Sequence, residues 1–339
     1  MTTRRTEHDL VAIGESLRDV FYEIDTASVS CTLDRSRCLL CLEYAEKIPV
    51  KRVVKTPAAG NAANAAVGAR RLGLDACLVS WVGKDEAGDD ILKAMRHDRV
   101  DTKHLVVDPA FPTSEATILN YRGERTQLVF FQPRTYRLPK ACPTRCVYYT
   151  AMGEKHKDVD RGIRAELARR PETFFAFQPG TTHIHAGLKA IRPLIARSDL
   201  FILNMDEAHH LLPDGDRTVM NMMEDFRRIG SKAVIITDGA KGAYGHDHEG
   251  HWHMPIFPGK AIERTGAGDS FAIAATVAIL KGHPLPEALR WGTANGWSVV
   301  REIGPQKGLL DVRGMTNVLR RFRRIRPMRM DLSGKPNRP

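Results

Sequence analysis

Apolar and polar positions along this chain repeat with two periods. Residues 9–14 (Asp9-Leu10-Val11-Ala12-Ile13-Gly14) form a short apolar run between turn signals and predict a buried strand. Residues 76–82, 146–151, 173–177, 200–204 and 233–237 read the same way. The stretches between them have helical length and pattern. Residues 61–72 predict an Ala-rich helix closed by Gly73, and 89–97 a second helix. Residues 270–280 carry no charge, no Pro and no Gly, so they predict a helix buried on all sides. Strands alternating with helices predict an α/β fold: a doubly wound, mostly parallel sheet with helices on both faces. Two β-like segments interrupt the alternation, at about 17–56 and 112–133. The second predicts a hairpin, 113–120 with 126–131 around Arg122-Gly123-Glu124, and the two together predict a small β-sheet lid beside the main domain.

Charge changes this picture only at one end. The net charge is +11, yet nine Lys and Arg lie from Arg313 onward against the single acid Asp331, which leaves +3 for residues 1–312. The expected organisation is one domain over 1–312 and a basic helix or tail over 313–339. A solvated basic helix explains such a run better than a nucleic-acid surface does, so nucleic acid is not the expected partner. No apolar run is long enough to cross a membrane, and the first residues lead into a strand without an apolar signal core. The expectation is a cytoplasmic protein. Cys38-x2-Cys41 with Cys142-x3-Cys146 has the ligand count for zinc, but leucines interleave the first pair, and small buried thiols are the preferred reading.

The candidate chemistry lies in Thr265-Gly266-Ala267-Gly268-Asp269-Ser270-Phe271, a small-residue turn that opens the buried helix. Unpaired N–H groups and the helix dipole at such a start favour an anion, and glycine lets the backbone approach it closely. An acid there would repel a phosphate. Its best use is to take a proton from a hydroxyl that attacks a phosphoryl group held by the turn, which is kinase chemistry. The bland alternative, a tight strand-to-helix turn with Asp as a cap, explains the same letters.

The rest of the chain sides with chemistry. Residues 60–73 (Gly60-Asn61-Ala62-Ala63-Asn64-Ala65-Ala66-Val67-Gly68-Ala69-Arg70-Arg71-Leu72-Gly73), followed by Val82-Gly83-Lys84-Asp85-Glu86-Ala87-Gly88, are similar to the N-terminal signature of the ribokinase family, the phosphofructokinase-B-type carbohydrate and nucleoside kinases. Residues 265–269 resemble its C-terminal signature. The resemblance runs from about 10 to 312 and implies a ribokinase-like fold with a lid over the sugar. It implies that Asp269 is the catalytic base and that Gly266, Ala267 and Gly268 form the anion hole. It implies that Asp19, Gly60, Asn61 and Asn64 bind substrate, and that Asn204 and Glu207 organise Mg²⁺. Thr237, Gly239, Gly242, Thr265 and Asn295 fall where the family holds ATP. Asn61 also suits the N-cap of its helix.

Three departures qualify the resemblance. Glu263 stands where the signature has Asp, with Arg264 after it, so a monovalent cation beside ATP and Mg²⁺ stays open and no potassium requirement is claimed. Ala59 replaces the first Gly of a Gly-Gly pair, and the basic end after Arg313 lies outside the match. The implied activity is transfer of the γ-phosphoryl group of Mg-ATP to a primary hydroxyl of a sugar or nucleoside. The aromatic residues Tyr121, Phe130 and Phe131 of the lid tilt the expectation toward a nucleoside base. A non-catalytic sugar- or nucleotide-sensing protein is the alternative of another class, and a homodimer through the lid stays open. A dinucleotide enzyme is disfavoured, since no Gly-x-Gly-x-x-Gly follows the first strand.

Overall fold

The computed structural model describes residues 8–32, 38–139, 143–213, 217–331 and 334–335. Its first elements are β1 (His8–Ile13), β2 (Leu17–Ile24), β3 (Ser28–Cys31), β4 (Cys38–Cys41), β5 (Val50–Lys55), α1 (Asn61–Arg71), β6 (Ala76–Gly83), α2 (Glu86–His97) and β7 (Leu105–Asp108). There follow β8 (Ser114–Tyr121), β9 (Glu124–Phe130), β10 (Thr144–Tyr149), α3 (Lys157–Arg169), β11 (Phe174–Phe177), α4 (Thr181–Ala186), α5 (Leu188–Arg197), β12 (Leu200–Asn204) and α6 (Met205–Leu211). The last are α7 (Val219–Ile229), β13 (Val234–Thr237), β14 (Ala243–Asp247), β15 (Gly250–Met254), α8 (Ala267–Leu280), α9 (Leu285–Val299), α10 (Val312–Arg321) and β16 (Met328–Met330).

One ten-stranded sheet runs in the order β16-β15-β14-β13-β12-β11-β10-β1-β6-β7. It is parallel from β7 to β13 and antiparallel beyond. Alternation along β1 divides the core. Leu10 and Ala12 face α1, α8 and α9, while Val11 and Ile13 join Phe175, Phe177, Phe201 and Phe226 on the other side. Both faces are therefore covered, and β6 is buried at all eight positions, which is why these strands read as unbroken apolar runs. The Ala-rich face of α1 lets α8 come close: the absent Cβ of Gly68 would stand 2.8 Å from Cγ2 of Ile273.

The two interruptions do pair. β5-β2-β8-β9 form a separate four-stranded sheet over a small core of Leu17, Phe21, Ala59, Ala116 and Ile118. Its hairpin turns at Arg122 (φ 52) and Gly123 (φ 84), both in the left-handed region that a two-residue primed turn requires. Polar residues join this lid to the main domain. Asp85 caps α2 by accepting from Gly88 N (2.8 Å) and also accepts from Thr113 N (2.7 Å), at the entry to β8. Glu15, buried at the exit of β1, accepts from Ser114 Oγ (2.6 Å) and from the Tyr136 hydroxyl.

Two expectations change. The segment after 312 is not only a solvated tail: α10 packs on α9, Phe322 stacks on Phe257 (4.5 Å between centroids), and β16 completes the sheet edge against β15. The reading of small buried thiols holds for Cys146 and not for Cys38. Cys31 and Cys38 are joined as a disulfide between β3 and β4, Cys146 is buried in β10, and Cys142 lies outside the described residues.

Candidate active site

The turn that opens α8 has two kinds of glycine. Gly266 is its N-cap, with φ 76, and a Cβ there would meet Pro305 at 2.5 Å, so the fold itself demands glycine. Gly268 is exposed, and a Cβ on it would meet nothing within 4 Å. Ser270 N donates to Gly266 O (2.8 Å) as the first bond of the helical ladder. The N–H groups of Gly268 and Asp269 precede it and have no acceptor among the described residues. Ala267 N reaches back to Arg264 O at 3.3 Å.

Asp269 is held from both sides. Asn64 Nδ2 donates to its Oδ2 (2.9 Å) and Gln178 Nε2 to its Oδ1 (3.3 Å). Those amides are themselves fixed: Gln306 Nε2 donates to Asn64 Oδ1 (3.0 Å), and the buried Tyr148 hydroxyl donates to Gln178 Oε1. The line Tyr148–Gln178–Asp269–Asn64–Gln306 thus ties three strand and helix ends to one carboxylate. Burial raises the Asp269 pKa, while the two amides and the more distant Arg125 pull against that rise.

Arg125 comes from the tip of the lid hairpin. Its Nη1 is 3.8 Å from Glu263 Oε1, and next to it Glu124 pairs with Arg264 at 3.2 Å. Two ion pairs therefore close the lid tip onto the loop before α8. Glu263 is buried, and its Oε1 also accepts from Thr265 N (2.6 Å) and from the Thr265 hydroxyl. Asp19, in β2, is buried as well, and no side chain or backbone donor reaches its carboxylate among the described residues. Burial first, then Asp269 and Glu263, push it up to about 7 against the pull of Arg125. On the far side, burial together with Asp269 and Asp206 pushes Glu207 up to about 7. The site is short of positive charge.

The residues singled out in the sequence divide between this cluster and the scaffold. Asp19, Asn64, Gly266, Ala267, Gly268, Asp269 and Glu207 come together. Asn64 faces Asp269 and Gln306, so both ends of its amide are used before any polyol arrives. The N-cap of α1 is Gly60, not Asn61, and a Cβ on Gly60 would stand 2.6 Å from Glu15 O. Asn204 and Glu207 form a reciprocal capping box on α6, each side chain accepting the other's backbone N–H at 2.8 Å. This accounts for both residues locally. Thr237 and Gly239 stand at the open end of β13.

Three assignments are corrected. Asn295 is fully buried, donates to Ser270 O (2.8 Å) and accepts from Leu310 N (2.9 Å), so it pins α8 to the 309–310 segment and has no surface for a nucleotide. Gly242 is buried against Met254 O, where a Cβ would collide, so its small size serves the turn into β14. Tyr121 is buried, with its hydroxyl donating to Ala27 O (2.6 Å), and Phe131 packs on the lid core, so of the three lid aromatics only Phe130, 60% exposed, keeps a free face. Sequence reasoning missed Gln178, Gln306 and Arg125. The first ends a buried strand, a position where a polar residue is a usable signal; the other two carry none.

The family model for pfkB family carbohydrate kinases matches residues 24–312, and the chain belongs to that family: it is a phosphotransferase with an alcohol as acceptor. It is 24% identical over 268 residues to an ATP-dependent 6-phosphofructokinase of Thermoanaerobacterium thermosaccharolyticum, covering 75% of this chain and 82% of that one. It is 25% identical over 279 residues to a ribokinase of Staphylococcus aureus, covering 78% and 88%. Among solved structures it is similar to the Methanocaldococcus jannaschii nucleoside kinase, an archaeal member of the ribokinase family, with TM-score 0.75, 20% identity and coverage of 93% and 99%.

Proposed function

We propose that this kinase transfers the γ-phosphoryl group of ATP to a primary hydroxyl of a free sugar. The observation that carries this reading is Asp269: a carboxylate oriented by two amides, raised in basicity by burial, one residue from a glycine whose missing Cβ would touch no protein atom. Asp269 takes the proton of the sugar hydroxyl as it attacks. The N–H groups of Gly268 and Asp269 receive the negative charge on the transferring group. Asp19, with no internal donor, accepts hydrogen bonds from the other sugar hydroxyls. Arg125 lowers the barrier to ionising Asp19 and Asp269 and carries the lid onto the turn.

Glu207, held near neutrality at about 7, fits a divalent cation that would draw it into the charged form. Such an ion supplies charge neutralisation on the phosphates when bound, and Glu207 and Asn204 are the residues that would hold it and its waters. Thr237 and Gly239 border the nucleotide side. A sugar is preferred to a nucleoside because two of the three lid aromatics, Tyr121 and Phe131, are spent on lid packing and only Phe130 is exposed.

The test is ADP release with Mg-ATP across ribose, fructose, fructose 6-phosphate, adenosine and guanosine, for the wild type and Asp269→Asn. Turnover is expected with a sugar and is expected to fall by about 10²- to 10⁴-fold in the variant with its melting unchanged. Ordinary turnover in Asp269→Asn would overturn the base assignment. Silence of the wild type on every acceptor would favour the sensing alternative.

A further inference from the structure

At the end of the sheet away from the catalytic turn, β14 and β15 set two histidines against each other. His246 and His251 are cross-strand partners, and their rings stack with centroids 3.8 Å apart and planes 8° from parallel. Because Thr237 pairs with Ala243 and Val234 with His246, this pair lies three residues, about 10 Å, back along the strand from the open end of β13.

The nitrogens of these rings are arranged unevenly. His246 Nδ1 lies 3.1 Å from Gly250 O, an acceptor, so Nδ1 carries the proton and Nε2 keeps its lone pair. His251 is 6% exposed, and its Nε2 has no hydrogen-bond partner. That Nε2 points toward Glu224 Oε1 of α7, 4.0 Å away. Glu224 Oε2 is already engaged, accepting from Arg228 Nη2 (2.7 Å), which fixes the carboxylate and leaves Oε1 turned to the imidazoles. One donor atom from each of Glu224, His246 and His251 lies within 4.8 Å of the others.

A buried nitrogen with no partner is destabilising. A cation shared by the three atoms supplies that partner, with one ring turned out of the parallel stack so that both in-plane lone pairs meet at the ion. Two other groups of histidines and acids differ in that a polar atom lies within about 3.2 Å of each ring nitrogen of His8 and His183. His8 sits between Asp75 (2.8 Å) and Asp101 (3.2 Å), and His183 between Gly180 N (3.2 Å) and the Tyr149 hydroxyl (3.1 Å).

We propose that Glu224, His246 and His251 form a structural metal site for a zinc-type divalent ion that fastens the β14–β15 hairpin to α7. Two imidazoles and one carboxylate are a borderline-soft donor set suited to zinc, with a fourth position left for water on the side where Glu224 is 29% exposed. The Arg228 contact to Glu224 and the Gly250 contact to His246 are the outer bonds that orient such ligands. The site is independent of the proposed kinase mechanism.

The test uses the full-length chain stripped with EDTA and kept in excess Mg²⁺, so that any magnesium site at the catalytic turn is occupied. Zn²⁺ is titrated against a chromophoric chelator, Co²⁺ is added in parallel for its visible bands, and melting is followed with and without Zn²⁺. The wild type is expected to bind one tight equivalent, to give Co²⁺ bands of tetrahedral intensity, and to melt higher with Zn²⁺. His246→Gln and His251→Gln are each expected to weaken binding at least about tenfold, and the double variant to lose all three responses while keeping its circular dichroism. No tight zinc in the wild type, or a full equivalent retained by the double variant, would overturn the proposal. Should the double variant misfold, Glu224→Gln with both histidines intact decides it: unchanged affinity there also overturns it.

Discussion

Two glycines on two packed helices, Gly68 in α1 and Gly268 in α8, look alike in the sequence and differ in what their missing Cβ avoids. At Gly68 it avoids Ile273, 2.8 Å away inside the α1–α8 interface. At Gly268 it avoids nothing that belongs to the protein. Small size in the first case is set by close packing; in the second the space is open, and the proposed mechanism places the transferring group there. The same contrast holds for whole regions. Between α1 and α8, small residues let apolar surfaces meet. At the start of α8, carboxylates held from solvent stand with little positive charge beside them.

Changing both glycines to Ala tests this contrast with one chemical change. Gly268→Ala is expected to have the larger effect on activity. A methyl group in the space above the turn denies the transferring group its donors, and losing one such donor typically costs about 10²- to 10³-fold in turnover. Its melting temperature should hold or rise slightly, because Gly268 has an ordinary helical φ and Ala is the better helix former by roughly 0.5–1 kcal/mol. Gly68→Ala is expected to do the reverse. Overpacking against fully buried Ile273 should cost about 1–3 kcal/mol of stability, with turnover per folded molecule near that of the wild type. Denaturant melts and active-site-normalised rates measure both. If Gly268→Ala unfolds the protein, or Gly68→Ala selectively lowers turnover, the two positions do not differ as argued.

Much of this contrast was legible in the sequence. The run over 270–280 carries no charge, so its burial could be read directly, and residues 270–278 are buried. The two β-like interruptions were visible because they break a regular alternation. Asp269 stood out because an acid beside an anion-binding turn is chemically out of place. What escaped reading depends on contacts distant in sequence. Asn64 and Asp269 are 205 positions apart, and Gln178 and Asp269 are 91 apart, so no local pattern marks either amide as a partner of the base. Asn295 misled for the opposite reason: a polar residue among small ones suggests a ligand, yet it serves two backbone groups inside the core. β16 hid in a basic segment because a three-residue edge strand carries almost no periodic signal.

The smallest effect concerns the residue on which the two regions meet. Arg125 belongs to the lid, but its charge acts on Asp19 and Asp269, lowering the pKa of each against burial. Arg125→Gln removes that charge and leaves Glu263 without its cation 3.8 Å away. Loss of that charge favours the protonated forms of Asp19 and Asp269, so their pKa values rise further. The base must be ionised to act, so the acid limb of kcat/KM moves to higher pH. Turnover should therefore drop most at acid pH and recover as pH rises through the raised pKa values. A residue that only latched the lid would instead scale the profile down equally at every pH, as loss of the exposed Glu124–Arg264 pair should, and that pair should weaken with salt. A profile for Arg125→Gln that is lowered but not displaced would confine the arginine to closing the lid and leave Asp269 to the field of the main domain alone.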